Sequence, residues 1–211
     1  MKHFFLRSAA VLACALGLAG CGGGSSGQLQ ISVTLYNVTK TGLKLQNNGG
    51  TFYDVPAGGT FTFPDLIALD GSFDVVAQGK PDNTTQCVVE DGKAKATNVS
   101  LRKIRVVCTL ITYHLGGTIV GLTGPAAGEA ADTGTGLILA NGNAQQAIAV
   151  NATAFNMTQN AGTATESGKV PEGLPYGVVI FQQPKGRTCS VTNGVGTMPA
   201  ADVNSIAISC S

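Results

Sequence analysis

The chain has 211 residues, with 13 Lys and Arg against 12 Asp and Glu and only 12% charged residues in all. So sparse and so nearly neutral a charge argues against nucleic acid and against anionic lipid headgroups as partners. The length suits one domain or two small ones, and the abundance of Gly, Thr, Ser, Asn and Val without long helix-period patterns points to an all-β fold.

The chain opens on Lys2, His3 and Arg7, then runs through apolar and small residues from Ala9 to Leu18. A basic start, a short apolar stretch and a small-residue cleavage point describe a secretory signal. Crossing a bilayer takes about 20 apolar residues, and Gly22-Gly23-Gly24-Ser25-Ser26-Gly27 cuts this stretch short. Leu18-Ala19-Gly20-Cys21 resembles the bacterial lipobox, an aliphatic residue and two small ones before the acceptor cysteine. The resemblance implies that residues 1–20 are removed, that Cys21 carries a diacylglyceryl thioether, and that its new amino group is acylated. Each buried acyl CH₂ contributes about 0.8 kcal/mol, so two or more chains hold stably. Residues 21–28 are then a lipidated cysteine and flexible tether. Gly22, where an Asp would favour retention at the inner membrane, implies the outer membrane, with the face left open. Loss of Lys2 and Arg7 turns the charge balance slightly negative. The spacing Gly22, Gly24, Gly27 matches a dinucleotide loop literally, but such a loop needs a strand before it and a helix after it. Here it reads as tether.

Beyond the tether the strands are short. Ile31, Val33 and Leu35 alternate with Ser32, Thr34 and Tyr36, the period of a half-buried strand. Leu43 and Leu45 precede Asn47-Asn48-Gly49-Gly50, a turn of residues that tolerate positive φ. Val55, the Phe61/Phe63 pair, and the segments 73–77, 87–89 and 104–108 supply further strands between Gly-, Pro- and Asp-rich punctuation. About seven strands spaced in this way predict an immunoglobulin-like β-sandwich, with a small barrel or another Greek-key sandwich as alternatives.

The pattern then recurs. Cys87 and Cys108 are separated by the same interval as Cys189 and Cys210, and the segments between align without a gap. Cys87-Val88-Val89-Glu90-Asp91-Gly92 lies over Cys189-Ser190-Val191-Thr192-Asn193-Gly194. Gly42-Leu43-Lys44-Leu45 lies over Gly136-Leu137-Ile138-Leu139, Phe61-Thr62-Phe63 over Phe155-Asn156-Met157, and Phe73-Asp74-Val75-Val76 over Tyr176-Gly177-Val178-Val179. The repeats fall at 29–110 and 111–211, two tandem sandwich domains. Cys14 leaves with the signal and Cys21 takes the lipid. Four cysteines remain, a number that implies disulfides in an oxidising envelope. Duplicated units carry the same bridge, which predicts Cys87 with Cys108 and Cys189 with Cys210. Alternation agrees, because Cys108 shares a strand face with Ile104 and Val106, as Cys210 does with Ile206 and Ile208.

Gln182-Gln183-Pro184-Lys185-Gly186-Arg187-Thr188-Cys189, Asp202-Val203, and Ile206 through Cys210 follow an earlier Gly-Leu-x-Leu piece. Together they resemble a β-sandwich repeat of proteobacterial envelope lipoproteins, the Gln-Pro-x-Gly-x-Thr-Cys…Cys type. The resemblance covers residues 116–211 closely and 29–109 more loosely, since the first copy has Gly79-Lys80-Pro81-Asp82 in place of the Gln-Pro-x-Gly approach. It implies a fold, an address and the cysteines. No activity comes with it.

Chemistry is hard to find. His114 is the one histidine left after processing and sits between the repeats, so no histidine-based triad or zinc cluster is expected. Asp70, Asp74 and Asp91 read as turn residues, too few for a calcium site. Asn-x-Ser/Thr at Asn37, Asn83, Asn98, Asn151 and Asn156 reads as chance. With no Trp and four Tyr, of which Tyr36 and Tyr53 could face outward, an aromatic glycan platform is thin. The candidate binding loops are two insertions of the second repeat, 125–135 and 158–173. They are polar and lie at opposite ends of the sandwich by strand counting. The expectation is a non-enzymatic envelope lipoprotein, with no catalytic residue, metal, cofactor or nucleic acid. Its partners are the membrane, through Cys21, and an envelope protein or surface ligand of unspecified kind. A glycan- or peptide-binding surface module using the second repeat's loops is the alternative.

Overall fold

Residues 27–157 and 168–211 are described by the computed structural model of the chain. Cys21, the signal segment and most of the 158–173 insertion lie outside them. The described residues form an all-β structure of several sheets, with one 3₁₀ turn, Ser100–Arg102, as the helical piece among them.

The first half has eight strands. They are β1 (Gln28–Tyr36), β2 (Leu43–Asn47), β3 (Tyr53–Asp54), β4 (Thr60–Ala68), β5 (Ser72–Gly79), β6 (Thr84–Glu90), β7 (Lys93–Lys95) and β8 (Arg105–Leu110). A short β9 (Thr112–Tyr113) follows. The second half continues with β10 (Leu115–Val120), β11 (Ile138–Asn141), β12 (Ala144–Ala147), β13 (Ala154–Asn156) and β14 (Val170–Pro171). It closes with β15 (Pro175–Gln182), β16 (Cys189–Thr192), β17 (Val195–Thr197) and β18 (Val203–Cys210).

Strand order repeats element for element. The first half has sheets β4-β1-β8-β6 and β3-β2-β5-β7; the second has β13-β10-β18-β16 and β12-β11-β15-β17. In both, the opening strand runs parallel to the last, with Leu35 beside Val106 and Ile119 beside Ile208. An immunoglobulin constant domain places its first strand beside its second. Here the first strand lies beside the fourth and the eighth.

Each half encloses its own buried cluster between its two sheets. Ile31, Val33 and Leu35 from β1 meet Leu43 and Leu45 from β2, Phe73 and Val75 from β5, and Val106 and Cys108 from β8. Leu115 and Ile119 meet Leu137, Leu139, Val178, Ile206 and Ile208 in the second half. Each fully buried aliphatic or aromatic side chain contributes about 1.5–3 kcal/mol over leaving it exposed. The period-2 alternation of these residues is what directs them to one face.

The β6–β7 and β16–β17 turns show why the repeat keeps an acidic or amide residue followed by glycine. Asp91 and Asn193 both adopt positive φ, 54° and 57°. The next carbonyl then accepts from the neighbouring sheet, Val75 N–H to Gly92 and Val178 N–H to Gly194, each at 2.7 Å. A Cβ on Gly92 would sit 2.8 Å from the Val75 carbonyl oxygen, so only glycine fits.

Candidate functional site

The four cysteines form two cross-strand bridges. Cys87 and Cys108 face each other on β6 and β8, and Cys189 and Cys210 on β16 and β18, with Cα–Cα distances of 4.0 and 3.9 Å. Cys108, Cys189 and Cys210 are buried within the two clusters. The bridges tie the last strand of each half to its sheet neighbour.

His114 sits where β10 begins. Its backbone N–H donates to Asp202 Oδ1 at 2.8 Å and its carbonyl accepts from Val203 N–H at 2.9 Å, while Nδ1 is buried without a partner. Among the described residues no three His, Cys, Asp or Glu side chains gather as a metal would require. Asp74 is held by Lys93 at 2.6 Å across β5 and β7. Asp70 and Asp91 occupy positive-φ turns. Tyr53 is tied down, its hydroxyl donating to Asp65 at 2.8 Å and its ring edge-on to Phe63. Tyr36 is half exposed on the outer face of β1.

The 125–135 insertion is fastened to the β15–β16 connection. Arg187 presents two nitrogens to the Glu129 carboxylate, both at 2.9 Å, and a third contact to Thr123 Oγ1 at 3.2 Å. Lys185 pairs with Asp132, and Gly134 N–H donates to the Lys185 carbonyl at 2.7 Å. The Ala126 N–H and then the Arg187 guanidinium hold the Glu129 carboxyl below its ordinary range, and Lys185 does the same for Asp132. This loop is a closed clamp, with its charges spent on one another.

Of the other insertion, residues 158–167 lie outside the described residues. Its end forms β14, which pairs with β9: Val170 opposes Tyr113 and Pro171 opposes Thr112. Glu172 then turns toward the first half, where Lys40 donates to it at 2.5 Å.

Two surface features were not anticipated from the sequence. The outer face of β5 and β7 carries exposed Val76 beside cross-strand charges, Lys93 with Asp74, and Lys44 pairs with Asp54 next to it. The matching face of β15 and β17 carries Val179, Phe181 and Val195, with Phe181 61% and Val195 79% exposed. The off-phase apolar residues of β15 were the available signal. The second feature is a run of cations, Lys93, Lys95, Arg102, Lys103 and Arg105, all in the first half. Compared with protein-family models and with curated proteins, the chain matches none.

Proposed function

We propose that the chain is a non-enzymatic, lipid-anchored protein of the bacterial envelope: two tandem immunoglobulin-like sandwich modules held at the outer membrane by lipid on Cys21. The observation that carries the reading is the Leu18-Ala19-Gly20-Cys21 motif, followed at once by a Gly/Ser tether and then by β1. Disulfides in both halves suit an oxidising compartment. The duplicated strand order and the paired buried clusters support two modules, and the likeness to immunoglobulin domains is one of architecture, since the strand order differs. The candidate acids support a structural reading, because Asp74, Glu129 and Asp132 are engaged with Lys93, Arg187 and Lys185. In cell fractionation the wild-type chain is expected with the outer membrane, and Cys21→Ser in the soluble envelope fraction. Retention of Cys21→Ser on membranes would contradict the anchor.

A second reading is contact with an envelope component or ligand through the second module. The exposed Val179, Phe181 and Val195 favour its sheet face over its fastened loop. A photo-crosslinking residue at Phe181 is expected to capture a component that the same residue at Gln78, the matching position of the first module, does not. Equal capture at both positions would retire this reading.

A further inference from the structure

The two halves differ at one edge strand. β6 and β16 are matching outermost strands of their sheets. Each carries a cysteine bridged to its neighbour, and the Cα–Cα distances of 4.0 and 3.9 Å mark both as narrow, non-hydrogen-bonded pairs. The N–H and C=O of Cys87 and of Cys189 therefore point away from the ladder, toward the open side. Cys108 agrees, since its carbonyl turns away from β6 and accepts from Asn37 Nδ2 at 3.0 Å.

In the second half the open side is closed by one side chain. Gln183 Nε2 donates to the Cys189 carbonyl at 2.9 Å, and Gln183 Oε1 accepts from the Cys189 N–H at 2.8 Å. In the first half Lys80 stands where Gln183 does, ahead of Pro81, and its ammonium goes to the Thr84 carbonyl instead. Among the described residues nothing bonds the outward N–H and C=O of Cys87, or those of Val89. The opposite edge of the same sheet, β4, contains Pro64, which has no N–H to offer. β6 has neither Pro nor Lys, the usual means of blunting an edge.

The outer face differs in the same sense. Tyr36, Val107 and Val88 lie level across β1, β8 and β6, an apolar row that runs to the open edge, with Tyr36 and Val88 about half exposed. The matching row of the second half is Val120, Ser209 and Ser190.

We infer that β6 pairs antiparallel with β6 of a second copy of this chain, about a two-fold axis at Val88. An open edge recruits a strand through its main chain, and a two-fold contact must be complementary to itself. This register is. Each Cys87 N–H donates to the partner's Val89 carbonyl and each Val89 N–H to the partner's Cys87 carbonyl, so the free groups of both edges are used. Val88 meets the partner's Val88 in a narrow pair, and the two apolar rows join into one. Gln86 faces the partner's Glu90, while Glu90 keeps its ion pair with Arg105. An axis at Glu90 would instead set two carboxylates against each other, which is destabilising. The pairing does not depend on lipid at Cys21.

A contact this short is a transient one, so the test traps it. Val88→Cys places a thiol on the outer face, away from the Cys87–Cys108 bridge, and a narrow pair brings two such thiols within disulfide reach. The full chain is purified in detergent and oxidised with copper phenanthroline. Val88→Cys is expected to give a disulfide-linked dimer several-fold more abundant than Ser190→Cys, its match in the second half. Gln86→Cys and Glu90→Cys should each stay monomeric alone and cross-link when mixed. A dimer yield from Val88→Cys no greater than that from Ser190→Cys would overturn the pairing. Dimers of Gln86→Cys alone as abundant as those of the mixture would overturn the register.

Discussion

Lys40 Nζ lies 2.5 Å from Glu172 Oε1, a contact between residues 132 apart that joins the first half of the chain to the second. Glu172 is buried, and its backbone N–H donates to the Ile111 carbonyl at 3.0 Å in the connection between the halves. Ile111 N–H in turn donates to the carbonyl of buried Asn83. Removing the cation leaves a buried carboxylate without its partner, the costly way to break a pair. Lys40→Ala is expected to lower the melting temperature and to broaden the distance distribution in small-angle scattering. An unchanged distribution would mean that the backbone bonds of Ile111 with Asn83 and Glu172 hold the halves without the ion pair. The hydrogen bond to Glu172 raises the Lys40 ammonium above its ordinary 10.5. Its contribution is therefore complete below that pH and is lost as pH rises through the folded value.

Each disulfide closes the same interval, a sequence separation of 21 residues. In the chain-entropy model a loop of this size stabilises by about 3 kcal/mol. Replacing Cys87 and Cys108 together by Ala, or Cys189 and Cys210 together, should lower the stability read from denaturant unfolding by that order. A loss below about 1 kcal/mol would show that the sheet pairing already restrains these strands in the unfolded chain.

Gly117 occupies the β10 position that Val33 fills in β1, and a Cβ there would overlap the Ile206 carbonyl oxygen. The parallel pairing of β10 with β18 needs that closeness. Gly117→Ala should prevent soluble expression or lower the melting temperature severely. Gly177→Ala, whose added Cβ meets nothing within 4 Å, should be tolerated. Equal tolerance of both would contradict the register of the second half.

The clamp on residues 125–135 predicts an acid response. Glu129 and Asp132 are held below their ordinary values of 4.5 and 3.8, so their contribution is present above those values and is lost as pH falls through the folded ones. Amide exchange in this loop should accelerate at such acid pH before the strands exchange. Arg187→Ala should bring the same acceleration at neutral pH. Loop exchange that is insensitive to both would show that backbone contacts such as Gly134 to Lys185 carry it.

What was legible in the sequence was local and periodic. Ile31, Val33 and Leu35 announced β1, and the matching cysteine intervals announced a duplicated unit. Asn48 and Gly49 take the positive φ, 50° and 71°, that their turn composition invites. β7 and its counterpart β17 were missed, because Lys93–Lys95 and Val195–Thr197 are three-residue hairpin arms with no buried alternation. The parallel pairing of first and last strands was out of reach, since it joins residues about 70 positions apart in the first half and about 90 in the second, through backbone groups common to every sequence. Lys40 with Glu172 was hidden for the same reason. The exposed Val179 and Phe181 could have been read from the off-phase positions of β15, which alternation treats as the solvent side.

Lipid on Cys21 is read from the intact mass of the chain extracted from membranes. That chain is expected to begin at Cys21 and to be heavier than residues 21–211 by a diacylglyceryl group and an amide-linked acyl chain. A membrane-extracted chain with an unmodified Cys21, or one beginning elsewhere, would contradict it.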